Sequence, residues 1–239
     1  MQWCMKPSAV LTTVAAALTL LLPPATSVVH AATQIHQGDV VFAVDASLDM
    51  DLTGKIVRAV NFSNTAPALR VHGVPFVPHS ASPGLVISTP FSVVPQGTRE
   101  GDPQRIDDRN LEKILSTALT GSPSGVSISM PVTPGKSYVL QLVFYGNQQE
   151  NRRWDIEVEG NLVLDEITSL GVQEAGSLEF SLGSYLIYRC PVTAGDNTLT
   201  VRMGSLGGGN DGGLREPILQ ALTLEEVVTD ADSDGLPDD

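Results

Sequence analysis

A strict alternation of apolar and polar residues in the second half of the chain is the feature that most constrains its fold. In Val126–Met130, Trp154–Val158 and Thr198–Met203 every second residue is apolar. Successive side chains of a strand point to opposite faces of a sheet, so this period of two predicts strands with one buried face. Tyr138–Phe144 is more uniformly apolar, which is typical of a central strand buried on both faces.

Turn-forming residues separate these runs. The sequence Glu159-Gly160-Asn161 follows Trp154–Val158 and precedes the apolar residues Leu162–Leu164, which predicts a hairpin in which Gly160 has a positive φ. Many short strands joined by polar turns predict an all-β sandwich. The other predicted strands and turns are Val40–Val44, Ile56–Phe62, Val71–Phe76, Leu85–Val94 with a break at Pro90, a region marked by Phe180, Leu182, Leu186 and Tyr188, the turn Ala194–Asn197, and Ile218–Leu224.

Helical periodicity is confined to the residues before Gly121. Asp107 or Asp108 can cap such a helix, and Gly121 can end it. The apolar positions with helical spacing are Leu111, Ile114, Leu115 and Leu119. The sequence therefore predicts one short helix, and it lacks the alternation of strands with helices that an α/β fold needs.

The N-terminal residues have the pattern of a signal peptide. Lys6 supplies a positive charge, Ala9–Leu22 is apolar, and Val29-His30-Ala31 offers a cleavage site with a small residue at its end. The apolar run is shorter than the ~18 residues that a membrane span needs. We therefore expect an exported chain without membrane insertion, divided into a signal peptide (1–31), a lead-in (32–53), a β-sandwich (54–227) and an acidic tail (228–239).

Charge and cysteine content limit the partners and the chemistry. The chain has 14 basic and 27 acidic residues and a formal net charge of −13, which repels nucleic acid and anionic membranes. Its two cysteines are Cys4, in the signal peptide, and Cys190. Cys190 lies in an apolar run and is predicted to be a buried hydrophobic residue; the alternative is a reactive or intermolecular thiol.

Four segments of the chain form a further pattern: Ala59–Ser63, Thr133–Phe144, Arg152–Gly160, and Asn197–Met203 with Glu216–Leu224. In this order they resemble the malectin and malectin-like family of galactose-binding-like jelly rolls. The most specific one, Arg152–Gly160, is similar to the family's Arg-x-aromatic-Asp-Val-x-Val-x-Gly. The resemblance implies a jelly-roll β-sandwich and a monomeric carbohydrate-binding-type module of a larger extracellular or cell-surface protein.

The residues of the third segment favour a role in the scaffold. Trp154, Ile156 and Val158 alternate onto one face, so Trp154 is predicted to lie in the core; the alternative is a platform for a ligand. Arg152 or Arg153 is expected to pair with Asp155 or with another nearby carboxylate. Such a pair is a structural or solvated one rather than a binding group.

The resemblance implies a sugar site made of loop aromatics and a late aspartate, but the sequence departs from it there. The loop after Phe144 carries mainly amides, and Arg215 stands at the position that corresponds to the aspartate. A malectin-type disaccharide site is therefore not expected. A generic site for a polysaccharide or glycoconjugate is the hypothesis that remains, with solvated loops as the alternative. Its expected residues, which would cluster at one end of the sandwich, are Tyr145, Asn147, Gln148, Asn210, Asp211 and Arg215.

The C-terminal sequence Asp230–Asp239 resembles a thrombospondin type 3 or dockerin-like calcium loop. Calcium takes six to eight oxygen ligands, and carboxylates at loop positions 1, 3 and 5 with glycine at 6 let a chain wrap around it. Position 12 falls beyond the sequence, so the loop is incomplete; a weak site or a plain solvated tail are the alternatives. The predicted ligands are Asp230, Asp232, Asp234, Leu236 through its carbonyl, and Asp238.

No catalytic motif is found in the sequence. It contains neither a nucleophile elbow nor the His-x-x-x-His spacing of a zinc site. Helix capping accounts for the adjacent Asp107 and Asp108. We therefore expect no enzymatic activity. The class that competes with a carbohydrate-binding module is a structural or adhesion spacer without a glycan site.

Overall fold

The computed structural model describes residues 34–35, 39–43, 50–63, 68–88, 90–95, 105–122, 124–145, 152–168, 178–179, 185–205 and 216–228. Within these residues the chain forms three β-sheets, one α-helix and one 3-10 helix. This confirms the prediction of an all-β fold with one short helix.

The elements follow in chain order. The first strands are β1 (Gln34–Ile35), β2 (Asp39–Ala43), β3 (Lys55–Asn61), β4 (Leu69–Val71), β5 (Val74–Pro78), β6 (Val86–Ser88), β7 (Phe91–Pro95), β8 (Thr117–Gly121) and β9 (Val126–Pro131). The later strands are β10 (Ser137–Tyr145), β11 (Arg153–Val158), β12 (Asn161–Thr168), β13 (Leu178–Glu179), β14 (Tyr185–Thr193), β15 (Thr198–Gly204), β16 (Ile218–Leu219) and β17 (Ala221–Glu226). The α-helix, α1, is Ile106–Leu115, and the 3-10 helix is His79–Ala81.

The largest sheet has β10 near its centre. Its strand order is β1-β14-β10-β17-β3-β5-β4, and β2 also pairs with β14. Neighbours run antiparallel except β3 and β5, which are parallel where they meet. Strand β10 pairs with β14 along its whole length and with β17 along most of it, which confirms the predicted central strand. Both β1 and β2 lie within the predicted lead-in, so this segment contributes two strands to the sheet.

A second sheet packs face to face against the first. Its order is β13-β12-β11-β15-β9-β6, and a smaller sheet, β16-β8-β7, completes the fold. Leu140 and Leu142 of β10 share one apolar core with Ile156 of β11. The rings of Phe144 and Trp154 meet across this core at a centroid distance of 5.6 Å. The prediction that Trp154 faces the core is therefore confirmed, while the jelly-roll connectivity stays a prediction.

A second core covers the outer face of the largest sheet. Leu111 and Ile114 of α1 pack there with Val143 of β10 and Ile187 of β14. The outer face of a sheet that bears apolar residues must be covered, since exposing it to water is unfavourable. The helix therefore covers part of the outer face of the sheet.

The predicted end and cap of the helix are wrong. The helix ends at Leu115, and Leu119 belongs to β8, where it pairs with Val93 of β7. The spacing from Leu115 to Leu119 fits a helix, but pairing of β8 with two strands overrides this local preference. The residue at the N-cap is Arg105, without a capping side chain, because Asp107 instead accepts a hydrogen bond from the His72 backbone N–H at 2.8 Å.

The hairpin of β11 and β12 has the predicted turn and an unpredicted irregularity. Gly160 has φ +76°, which confirms the prediction, and Glu159 before it has φ +50°. The pairing register shifts between Trp154 and Ile156 and again between Ile156 and Glu157. Each shift leaves one extra residue on β12, so this strand carries two bulges. Bulges bend a strand and increase its twist.

No helix within the described ranges is both long and apolar enough to cross a membrane.

Trp154→Ala is expected to destabilise the fold by about 3–5 kcal/mol, because it removes the largest fully buried side chain and leaves a cavity between the sheets. Leu162→Ala in the same hairpin is the control, since Leu162 is 50% exposed and its loss should cost less than about 1 kcal/mol. Urea unfolding measures the loss of stability in both variants. Circular dichroism of the backbone is the probe, because it does not rely on the tryptophan that one variant removes. Equal losses for the two variants would contradict the packing described.

Candidate binding rim

Several strand ends meet at one end of the sandwich, which we call the loop rim. It is defined by Tyr145 at the end of β10, Arg152 before β11, Gly204 at the end of β15 and Glu216 before β16. Register places them together, because Asp155 of β11 pairs with Gly204 and Val143 of β10 pairs with Ala221 of β17. The segments 146–151 and 206–215, which carry most of the expected glycan residues, leave and re-enter the fold here.

An ion pair joins the residues that directly follow these two segments, which we call the roots of the segments. Arg152 directly follows segment 146–151 and Glu216 directly follows segment 206–215. The Arg152 Nη1 atom lies 3.2 Å from Glu216 Oε2, and it also donates to Thr120 Oγ1 at 3.3 Å. The Arg152 side chain is 11% exposed, so the guanidinium lies within the rim and is largely shielded from solvent. The prediction that one of the two arginines pairs with a nearby carboxylate is confirmed here.

Two glycines bring a turn and a strand end into direct backbone contact at the rim. A Cβ atom on Gly204 would lie 2.5 Å from the Gly125 Cα, and one on Gly125 would lie 2.5 Å from the Met203 carbonyl oxygen. The turn before β9 therefore rests on the end of β15 with no side chain between them. Beside it, the Gly121 N–H donates to the Pro217 carbonyl at 3.3 Å, which ties β8 to the root of segment 206–215.

The backbone of Tyr145 is part of the rim, but its side chain lies beneath the rim surface. Its side chain is 2% exposed and belongs to the core on the outer face of the sheet. The side-chain amide of Gln220 bonds both backbone groups of Tyr145, at 2.9 Å to the N–H and 2.7 Å to the carbonyl. A ring buried in this way offers no face to a sugar.

The other expected site residues lie outside the described part of the chain. These are Asn147, Gln148, Asn210, Asp211 and Arg215 for the glycan, and Asp230, Asp232, Asp234, Leu236 and Asp238 for calcium. Among the residues that the structure describes, no group of three or more His, Cys, Asp and Glu side chains is arranged to hold a metal ion.

A buried polar network, which the sequence did not reveal, fixes the start of β11 behind the rim. Arg153 is 2% exposed, and its Nη1 lies 2.8 Å from Glu166 Oε1 on β12. Asp155 Oδ1 accepts the Glu166 backbone N–H at 3.0 Å, where the first bulge of β12 leaves that residue with φ +51°. The carboxylate of Asp155 thus satisfies a backbone donor that the bulge removes from the ladder. The partner of Arg153 is Glu166 because the bulge turns that side chain towards β11.

Cys190 is fully buried, which confirms the prediction made for it. Burial raises the pKa of its thiol to about 11. A thiol with this pKa is almost entirely protonated at neutral pH, and the thiolate is the reactive form. Cys190 is therefore a core residue and not a nucleophile.

The fold is similar to those of plant receptor-like kinase ectodomains. The crystal structure of plant receptor-like kinase ANX2 matches with a TM-score of 0.53 and 13% identity over 73% of this chain and 48% of that chain. The ANXUR1 extracellular domain from Arabidopsis thaliana matches with a TM-score of 0.53 and 13% identity over 73% and 49%. A structure of plant peptide RALF23 in complex with FER and LLG2 matches with a TM-score of 0.53 and 12% identity over 73% and 49%.

This chain therefore spans about half the length of the chains that it matches. At this level of identity the likeness shows the fold alone, and the family resemblance of the four sequence segments stays a prediction. No protein-family model and no curated protein matches the sequence.

Glu166→Gln is expected to destabilise the protein by about 3 kcal/mol, because it removes the charge that compensates the buried Arg153 guanidinium. Asp165→Asn is the matched control: it removes the same charge from the neighbouring, exposed position and should change the free energy of unfolding by less than about 0.5 kcal/mol. Chemical denaturation at pH 7 measures the difference. If both substitutions cost the same, the ion pair does not hold the start of β11.

Proposed function

We propose that the chain is a non-catalytic carbohydrate-binding-type module of a larger extracellular or cell-surface protein. The observation that supports this most is the Arg152–Glu216 ion pair, which joins the roots of segments 146–151 and 206–215 at one rim. The first segment includes the amides of Asn147 and Gln148, and the second includes the polar residues Asn210, Asp211 and Arg215. Amide, carboxylate and guanidinium groups supply the donors and acceptors that sugar hydroxyls need.

The rim, rather than the interior, is the proposed contact surface. Among the described residues, apolar side chains such as Trp154 and Phe144 pack between the two larger sheets, which favours a contact surface outside this core. Loops at the end of a β-sandwich are the usual place for recognition, because the rigid sheets position them while their sequences vary freely. Likeness to extracellular ectodomains and the signal peptide predicted over residues 1–31 support export.

The absence of catalysis is part of this proposal. The carboxylates of Asp155 and Glu166 lie near the rim, but one accepts a backbone N–H and the other pairs with Arg153. Their lone pairs are engaged in the fold, which disfavours a role as an acid–base pair. The protonated thiol of Cys190 is disfavoured as a nucleophile for the reason given above.

The alternative is a structural or adhesion spacer, for which the rim contacts serve stability alone. One matched structure contains plant peptide RALF23 in complex with FER and LLG2, so a peptide or protein ligand at the rim is a further outcome that the test must separate.

A polysaccharide array probed with the full chain is expected to retain at least one glycan class, and Gln148→Ala should weaken that binding about tenfold through the loss of one hydrogen-bonding group of ~1.4 kcal/mol. Asn161→Ala is the control, because it removes an exposed amide from the turn at the opposite end of β11. Retention unaffected by Gln148→Ala and by Asp211→Ala would place the contact elsewhere. No retained glycan of any class would favour the spacer.

We further propose that Asp230, Asp232, Asp234, Leu236 and Asp238 form a weak calcium site. Calorimetric titration of the full chain with calcium is expected to give a dissociation constant of about 1 mM, the class of extracellular calcium modules. Asp232→Asn with Asp234→Asn should abolish the heat, since it neutralises the ligands at positions 3 and 5. Asp165→Asn, which removes one negative charge from an exposed position on β12, should leave it intact. Absence of heat at millimolar calcium would exclude the site in this chain.

A further inference from the structure

One half of β3 has an unpaired edge at the end of the sandwich opposite the loop rim. The described pairings of Lys55–Ala59 are all with β17, whereas β5 reaches β3 only at Val60 and Asn61. The diverging strands leave a groove of about 300 Å³, lined by Val57, Arg58 and residues of β5. A strand edge of this kind presents backbone N–H and C=O groups that an added extended segment can pair with.

A second groove continues from the first. It has a volume of about 240 Å³ and is lined by Val57, Arg58, Pro131, Tyr138 and Glu226, among others. Both grooves include Val57 and Arg58, so they meet at these two residues. Val57 is 45% exposed and occupies the bulge where the register of β3 and β17 shifts, and its side chain forms an apolar wall between the grooves.

Basic side chains outnumber carboxylates around the channel made by the two grooves, although the chain has a net charge of −13: Arg58 and Glu226 line it, and two lysines contact Glu226. Lys55 and Lys136 both lie 3.2 Å from the single carboxylate of Glu226. Arg58 donates to Ser82 Oγ at 2.7 Å and to the Pro83 carbonyl at 2.9 Å, which are neutral acceptors. No carboxylate in the described part of the chain forms an ion pair with Arg58. Three cations against one carboxylate leave a local charge of 3 − 1 = +2.

An acidic segment of the same chain begins next to the channel. Strand β17 ends at Glu226, which lines the second groove, and the Val227 N–H then donates to the Ser137 carbonyl at 2.8 Å. Residues 229–239 therefore begin at the mouth of the channel. They contain five aspartates and no basic residue. Eleven extended residues reach about 36 Å, far enough to pass both grooves.

We propose that the segment 229–239 folds back onto β3, with its backbone along the open edge of Lys55–Ala59 and its aspartates paired with Lys55, Arg58 and Lys136. Its covalent attachment gives it a local concentration in the millimolar range, so a weak contact suffices to keep it in place. The apolar Leu236-Pro237 matches the Val57 wall between the grooves. Calcium competes for the same aspartates, so docking is the state without calcium. The channel and the loop rim lie at opposite ends, and docking does not depend on a glycan site.

Hydrogen exchange of the full chain in EGTA at low salt, compared with a chain that stops after Val228, tests this directly. The amides of Lys55–Ala59 that do not pair with β17 are expected to exchange about fivefold faster without the segment, as for a local concentration about four times the dissociation constant. Asp230→Asn with Asp232→Asn and Asp234→Asn in the full chain should give most of the same increase.

Matched lysine variants separate pairing from general charge. Lys136→Gln should speed exchange at Lys55–Ala59, whereas Lys113→Gln, an exposed lysine on α1, should not. Urea unfolding of each variant shows whether the fold is retained. Unchanged exchange on deletion overturns the proposal, and so does protection that survives the aspartate substitutions. Protection that grows with protein concentration identifies a second copy as the occupant and overturns it as well.

Discussion

Burial of β10 on both faces is the constraint on which the rest of the structure depends. Its inner residues Leu140, Leu142 and Phe144 pack against the second sheet, and its outer residues Val143 and Tyr145 need a cover of their own. Helix α1 and the chain around Met50 supply that cover. A simple two-layer sandwich would leave these outer side chains in water, so the fold adds a partial third layer where the apolar residues require it.

The middle of β10 also buries one polar side chain, Gln141, whose hydrogen bonds show what burial on both faces requires of a polar group. Gln141 is fully buried on the outer face, and its amide is bonded throughout. Its Nε2 donates to the Asp51 carbonyl and to Thr223 Oγ1, while its Oε1 accepts from the Asp51 N–H and from Arg189 Nε. Unpaired, this amide would cost several kcal/mol in so dry a place. The segment at Asp51 is thus held to the sheet by polar contacts as well as by packing.

The parts of the fold that follow a local pattern could be predicted from the sequence, and the parts that depend on distant partners could not. Alternation identified the strand of Trp154, and turn chemistry identified the positive φ of Gly160. The helix predicted to include Leu119 is wrong because the spacing from Leu115 suits a helix, while the pairing of Leu119 with β7 depends on residues distant in sequence. Tyr145 follows the predicted strand and is expected in a loop, whereas the amide of Gln220, 75 residues away in sequence, bonds its backbone at the end of β10. The sequence predicts that Arg152 or Arg153 pairs with a carboxylate, but not which one, because the partners Glu216 and Glu166 are set by register and by a bulge.

The two bulges of β12 have a consequence for how the protein behaves when it is concentrated. In the described part of the chain, β13 is the only strand that pairs with the far side of β12, and it pairs with two of its residues. Ordered fibrils need flat strands that stack with every backbone group aligned. A strand that gains an extra residue twice within Asn161–Thr168 cannot present such a ladder to a neighbouring molecule. The irregularity that anchors Arg153 thereby also protects the outer strand of the hairpin from fibrillar aggregation.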